Sequence, residues 1–489
     1  MIYPDFTKSQ IEECVTTSYA AFSTFSQSTL ATRNRLLHAI ASELEKQRST
    51  LVAAAAMETN LPEARLNNEL NRTIFQLESY GDACERGYWL EASIDQDASS
   101  QPLKPVIKKH MIPLGPIVVY GSSNFPFAYS TAGGDTASAL AAGCTVIVKA
   151  HPAHPKTSSI AASCIENAIA TCHLPPGVFT HIYGASFQVG EWLVKHPLIS
   201  AVAFTGSFTG GKQLFDWAAQ RAIPVPVFAE MGSVNPVFLL PEKLEQEPTQ
   251  IAAQLSASYT LGVGQFCTKP GLLIGIQSEA LNLFCEKMIK LTNQIQPSLL
   301  LHAGIEHLYR TKSEQLIAQK GVELIAQSQQ QAGVGEGQPL LTRVSASDWL
   351  ENKLLHQENF GPYTQIIVCK NYAELLLVAE ALEGQLTCTL MATVSEAKAS
   401  QELIRLLEQR CGRLIFNGVP TGVEVCKSMH HGGPFPATTD SRFGAVGADA
   451  IKRFIRPLAY QNWPEELLPD YLKDIAQTSI PRYHNGVKE

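Results

Sequence analysis

Between residues 116 and 220 the sequence alternates four short apolar runs with four helical stretches, and this rhythm restricts the fold more than any other feature. The runs are Pro116-Ile117-Val118-Val119-Tyr120-Gly121, Thr145-Val146-Ile147-Val148-Lys149, Val178-Phe179-Thr180-His181-Ile182-Tyr183 and Ala201-Val202-Ala203-Phe204. Helical patterns follow them over 128–142, 158–171, 188–195 and 212–220. Short strands apolar at successive positions are buried on both faces, which requires parallel pairing with crossover helices above and below. The expected fold is therefore α/β, a doubly wound sheet whose ligand lies beyond the carboxyl ends of its strands.

The remaining chain is read around that sheet. Residues 7–84 are helical, with Leu36, Ile40, Leu44 and Leu51 at near-helical spacing. Residues 92–105 are polar and turn-rich, and 106–112 form an edge strand or hairpin arm blunted by lysine. A second lobe starts near Asn235-Pro236-Val237-Phe238-Leu239-Leu240, with helices over 281–293, 314–327 and 396–409 and a surface loop over 333–337. From Arg453 the tail is strand-like and then Pro-rich and irregular. A length of 489 residues suits two large lobes and a minor element. A net charge of -7 gives no footprint for nucleic acid or an anionic membrane, so small molecules are the expected partners. The start has no basic and apolar leader, and residues 130–149 carry Asp135, so neither a signal peptide nor a membrane span is expected; the expected location is the cytoplasm. Eleven cysteines, an odd number without a C-x-x-C pair, predict free thiols and no metal site.

Four segments carry chemistry, each with an ordinary alternative. Thr205-Gly206-Ser207-Phe208-Thr209-Gly210-Gly211 joins a strand to a helix, where backbone N–H groups hold a phosphate, or it is a plain turn. Cys267, in Gly264-Gln265-Phe266-Cys267-Thr268-Lys269, is a nucleophile aided by Lys269 or a helix end, or a small core residue. Glu230 ends an apolar run as a general base, or as the partner of a surface lysine. Asn124 is an amide donor to an oxyanion, or a turn former.

Taken in order, these segments resemble the aldehyde dehydrogenase superfamily over nearly the whole chain. Asn124-Phe125-Pro126 is similar to its N-F-P and Lys149 to its strand-end lysine. Phe204-Thr205-Gly206-Ser207 with Gly211 resembles F-T-G-S-x-x-x-G, and Glu230-x-Gly232 resembles E-x-G. Gly264-Gln265-x-Cys267 is similar to G-Q-x-C, and Glu358-Asn359-Phe360-Gly361-Pro362 to E-x-F-G-P. The resemblance implies a Rossmann-type cofactor lobe (1–95 and 114–230), an α/β catalytic lobe (231–452) and a small β oligomerisation element (96–113 and 453–489). It also implies NAD(P)-dependent oxidation of an aldehyde through a thioester on Cys267. The Asn124 amide and the Cys267 N–H would hold the oxyanion, and Glu230 would activate the hydrolytic water. Lys149, Gly206, Ser207, Gly211, Glu358 and Phe360 would meet the cofactor.

Residues 418–425, 431–438 and 453–457 with Tyr460-Gln461-Asn462 are similar to one subgroup, the 2,5-dioxovalerate (α-ketoglutaric semialdehyde) dehydrogenases; NADP-using fatty-aldehyde dehydrogenases share much of the pattern and are the alternative. The chain departs from the superfamily at Ser123, at Ser233-Val234 and in a compact stretch between about 325 and 358. Ala150-His151-Pro152-Ala153-His154 contains no acid, so NADP is expected to be preferred over NAD, with Lys149 and His151 facing its phosphate. A semialdehyde carboxylate calls for a cation, and Arg442 is the expected one, with His431 as a second substrate contact; pairing of Arg442 with Asp440 is the alternative. A homodimer or homotetramer is expected. A catalytically silent dinucleotide-binding protein, or a cofactor-free cysteine hydrolase, leaves part of this set without a use.

Overall fold

The computed structural model describes residues 3–96, 104–474 and 478–488. Helices α1 (Lys8–Phe25), α2 (Leu30–Lys46), α3 (Arg48–Thr59) and α4 (Glu63–Arg86) open the chain, followed by strands β1 (Ala92–Asp95) and β2 (Ile107–Pro113). Next come β3 (Ile117–Tyr120), α5 (Gly134–Ala142), β4 (Val146–Lys149), α6 (Pro155–Thr171), β5 (Phe179–Ile182) and α7 (Phe187–Lys195). This region closes with β6 (Ala201–Thr205), α8 (Phe208–Ala219) and β7 (Val227–Glu230). The second half contains β8 (Val237–Leu239), α9 (Pro241–Gln246), α10 (Pro248–Thr260), β9 (Leu272–Ile276), α11 (Glu279–Gln294), β10 (Ser298–Leu299) and α12 (Ala303–Ile317). It continues through β11 (Glu323–Gln327), β12 (Glu336–Gly337), β13 (Leu340–Ser345), α13 (Ala346–Glu351), β14 (Tyr363–Cys369) and α14 (Tyr372–Ala381). The last elements are β15 (Gln385–Met391), α15 (Val394–Ala399), α16 (Gln401–Glu408), β16 (Cys411–Phe416), β17 (Ile455–Gln461), β18 (Arg482–His484) and β19 (Val487–Lys488).

The first sheet has the order β5-β4-β3-β6-β7, all parallel. Alternation along its strands separates two cores. Ile117, Val119, Val146 and Val148 pack with α2–α6, while Val118, Tyr120 and Ile147 pack with α1, α7 and α8. The chain reverses direction across this sheet between β3 and β6, which opens a crevice at their carboxyl ends. The second sheet, β11-β13-β14-β9-β8-β15-β16, is parallel except for β11. It likewise divides its side chains between two cores, with Phe238 and Ile274 on one face and Val237 and Leu273 on the other. A third sheet, β17-β2-β1-β18-β19, joins the segment before β3 to the tail, and β10 pairs with β12. No helix among the described residues is long and apolar enough to cross a membrane.

Several local expectations are corrected. The helix expected over 128–142 begins at Gly134, because residues 125–133 form turns that shape the site. The helix expected over 314–327 ends at Ile317, and Gly321, at φ +77°, turns the chain into β11. The helix expected over 396–409 breaks at Ser400. Of the two readings of 106–112, the hairpin arm holds and the edge strand does not: β2 pairs antiparallel with the preceding β1 and is covered on its other side by β17. Part of the turn-rich reading of 92–105 is replaced by β1, and residues 97–103 lie outside the described residues, as do 475–477 and 489 of the tail.

Candidate active site

The site lies where the two large sheets meet end to end. Asn124, Lys149, Gly206 and Glu230 stand at or just beyond the carboxyl ends of β3, β4, β6 and β7. Asn235, Cys267, Glu358 and Gln385 stand just before or at the amino ends of β8, β9, β14 and β15. The first group follows the rule for open parallel sheets. The second comes from the opposite end of its own sheet.

The cysteine loop is shaped by backbone that few residues tolerate. Gly262, Val263 and Gly264 have φ of +56°, +58° and +66°. Such a value is costly for a β-branched residue, on the order of 1–3 kcal/mol, unless surrounding structure enforces it. Gly264 also lies so close to the Gly361 carbonyl that a Cβ would come within 2.2 Å of it. This contact joins the G-Q-x-C loop to the E-x-F-G-P loop. Asn235 anchors the other side, donating Nδ2 to the carbonyls of Cys267 (2.8 Å) and Lys269 (3.0 Å). Ser233, Asn235 and Gln385 form a buried network beneath it, with Ser233 Oγ donating to Gln385 Oε1 at 2.9 Å. Ser233 therefore has a defined role in the E-x-G loop of this chain.

Cys267 Sγ is 3.6 Å from His431 Nε2, which in turn is 3.0 Å from Glu230 Oε1. Glu230 and His431 are buried, and neither Glu230 oxygen completes a hydrogen bond. Burial, then the neighbouring Glu230 carboxylate, pushes the Cys267 thiol well above its ordinary value, while the Arg72 charge opposes them. Among the described residues, Glu230, Cys267 and His431 are the group whose ligand atoms lie within 4.8 Å of one another, close enough to share an ion. The Asn124 amide donates to the Gln265 carbonyl at 3.0 Å, placing it at the cysteine loop. Gly232 leaves room for Glu358, whose carboxylate a Cβ there would meet at 2.4 Å.

Three expected residues behave differently. Lys269 does not serve the thiol: its buried ammonium donates to the carbonyls of Asn359 (3.0 Å) and Tyr363 (2.8 Å), and burial lowers its pKa beside Glu358. Arg442 is not brought to Cys267. Its side chain is 76% exposed and clasped by Asp440, two residues earlier, so the simple ion pair prevails. His151 is driven well below its ordinary pKa by burial and by the charges of His154, Lys149 and His302, so it is neutral near pH 7 and offers no cation to a phosphate. Arg65, Arg72, Tyr129, Asn235 and Arg413 near the site were not identified from sequence; the Asn-Pro dipeptide at 235–236 was the one available signal, marking a turn.

The crevice beyond β3, β4 and β6 suits a dinucleotide. Residues 206–209 at the start of α8 are exposed, with Ser207 as N-cap accepting from Gly210 N–H, an arrangement that favours an anion. Lys149 Nζ donates to the carbonyls of Ala150 (3.0 Å) and Gly184 (2.8 Å), leaving one of its three N–H groups for a ligand.

The sequence profile described as the aldehyde dehydrogenase family matches residues 2–455. The chain is 42% identical to an alpha-ketoglutaric semialdehyde dehydrogenase of Acinetobacter baylyi, covering 99% of this chain and 93% of the relative. It is likewise 42% identical to alpha-ketoglutaric semialdehyde dehydrogenase 2 of Azospirillum brasilense, covering 99% and 92%. Among solved structures, it is similar in fold to a Thermus 1-pyrroline-5-carboxylate dehydrogenase with bound NAD, at TM-score 0.78 and 22% identity over 94% of this chain and 86% of that one.

Proposed function

Because this chain belongs to the aldehyde dehydrogenase family, we propose that it oxidises 2,5-dioxovalerate to 2-oxoglutarate through a thioester on Cys267. The observation that carries the reading is the half-buried Cys267 set against buried His431 and Glu230, with the Asn124 amide at the cysteine loop. Cys267, 3.6 Å from His431 Nε2, passes its thiol proton to that nitrogen and becomes the nucleophile. Cys267 then attacks the aldehyde carbon, and the Asn124 amide and Cys267 N–H stabilise the oxyanion. A bound nicotinamide dinucleotide supplies the hydride acceptor for the oxidation. Glu230 takes a proton from the water that hydrolyses the thioester. Lys149, Gly206 and Ser207 would hold the dinucleotide phosphates and adenosine ribose, and Glu358 and Phe360 the nicotinamide end; Gly211, expected among them, is instead buried against Met231 and Ala229, where its missing side chain lets α8 pack on β7.

The lobes follow the division 1–91 with 114–230, 231–452, and 92–113 with 453–489, the expected boundary at 95 being corrected because β1 (Ala92–Asp95) pairs with β2 and β18 in the third sheet. NADP is preferred over NAD, since Lys149 is followed by no acid through residue 154. The enzyme works as a cytoplasmic homodimer or homotetramer on a small molecule. The test is a panel of 2,5-dioxovalerate, glutarate semialdehyde and decanal, each with NAD and NADP. A higher kcat/KM for 2,5-dioxovalerate, abolished by Cys267→Ala, is expected. Preference for decanal would overturn the substrate, and substantial turnover by folded Cys267→Ala would overturn the thioester.

A further inference from the structure

The face of α4 nearest the site carries charge that the proposed chemistry does not use. Arg65, Glu69, Arg72 and Gln76 recur at intervals of four, three and four residues and so share one side of the helix. Arg65 is already engaged, donating Nη2 to the Asn124 carbonyl at 2.8 Å and lying over the Phe125 and Phe266 rings. Arg72 is engaged to the same degree as Arg65, whose Nη1 is also buried without a partner, but it alone of the two acts on Cys267 through space. It donates Nη2 to the Tyr129 hydroxyl at 3.0 Å and lies over the Tyr129 ring, and its Nε is buried without a partner. Tyr129 packs against His431 with ring centroids 6.2 Å apart, and His431 reaches Cys267.

Arg413 of β16 acts on Tyr129 and Cys267 through space. Its terminal nitrogens donate to the carbonyls of Gly422 (2.9 Å) and Pro420 (2.7 Å), while its Nε is buried and unpartnered. The electrostatic influence of both arginines extends to Tyr129 and Cys267. Glu69 acts on Arg65 and Arg72 through space, but burial pushes it up to about 7, so near neutrality it is an incomplete counter-charge. Buried guanidinium N–H groups without acceptors are costly, and a carboxylate has the lone pairs to satisfy them.

We propose that Arg72 and Arg413 receive the carboxylate of the substrate beside Tyr129, so that the enzyme selects short aldehydes with a carboxylate at the far end. This rests on the proposed reaction at Cys267. An extended five-carbon semialdehyde separates its two terminal carbons by about 5 Å, judged from ordinary bond lengths. A long alkyl chain gains nothing from cations at its end.

The experiment compares kcat/KM for 2,5-dioxovalerate, glutarate semialdehyde and pentanal in the wild type, Arg72→Met, Arg72→Lys and Arg413→Met. Arg72→Met should lower the values for both acids roughly 50-fold, chiefly through KM, as expected for a lost charge-assisted pair. Pentanal should lose far less, and Arg72→Lys should recover part of the acid preference. An independent reading is protection of Cys267 from iodoacetamide by 2-oxoglutarate, followed by peptide mass spectrometry without cofactor. Protection should be present in the wild type and absent in Arg72→Met. Equal losses for pentanal and the acids, or an unchanged acid preference in both methionine variants, would overturn the proposal and leave the reaction intact. A wild type that prefers pentanal would instead overturn the assigned substrate. The protection assay then decides the carboxylate site alone, and no protection in the wild type would reject it.

Discussion

Cys267 sits in surroundings that favour its neutral thiol, since burial and the Glu230 carboxylate both work against the thiolate. This sets the sign of a pH experiment. In the cofactor-free enzyme, alkylation of Cys267 should accelerate with pH and show no plateau below pH 9. Glu230→Gln removes one of the charges that raise the thiol, so at pH 7.5 this variant should alkylate several-fold faster than the wild type. The same substitution removes the proposed base for thioester hydrolysis, so a burst of reduced cofactor followed by slow turnover should appear. Slower alkylation together with normal turnover would place Glu230 outside the mechanism. Cys267, Glu230 and Asn124 were legible because motifs place them beside strand ends. Arg72 was not, because Arg65-x-x-x-Glu69-x-x-Arg72 has the spacing of an ordinary exposed ion-pair ladder, and only the fold turns that face inward.

At the scale of single elements, β4 delivers Lys149 to the cofactor crevice in an unusual state. Burial lowers its pKa to about 8, against the opposing effect of Asp5. A lysine with a depressed pKa is charged below that value and loses its charge as pH rises through it. A phosphate contact made by Lys149 in the free enzyme should therefore weaken above pH 8. We expect kcat/KM for NADP, which reports the free enzyme, to fall relative to that for NAD between pH 7 and 9. Lys149→Met should flatten that dependence and erase the preference; an NADP preference independent of pH in both proteins would remove Lys149 from the contact. Strands β3, β4 and β6 were readable because each is apolar at nearly every position and bounded by turns, whereas β5, with Thr180 and His181 at its centre, was read from its place in the rhythm. The segment 314–327 misled because Leu316, Ile317, Leu324 and Ile325 satisfy a helical spacing. The bend at Gly321, with its left-handed backbone, overrides that periodicity.

On the scale of the whole molecule, two parallel sheets face each other end to end, and the catalytic pair draws one member from each: Glu230 ends β7, and Cys267 precedes β9. The sequence rhythm foretold the first sheet and its ligand end, but no local pattern tells which end of a later sheet will be used. Open edges raise the last question. In the third sheet β17 pairs with β2 on one side, and in the second sheet β16 pairs with β15 on one side; both are terminal strands. An open edge invites pairing with another chain unless it is blunted. β17 exposes Arg456, Pro457, Ala459 and Gln461 and no large apolar side chain, its proline blunting the edge, whereas β16 presents Leu414 at 39% and Phe416 at 50% exposure. Exposed apolar side chains on an unblunted edge argue that a second copy covers β16, and closed two-fold symmetry limits such growth to a dimer or a pair of dimers. Light scattering at micromolar concentration should therefore give a dimer or tetramer, and Phe416→Glu should shift the mass towards the monomer while leaving far-ultraviolet circular dichroism unchanged. A monomeric wild type would refute assembly, and a wild-type mass in a folded Phe416→Glu protein would move the interface away from β16.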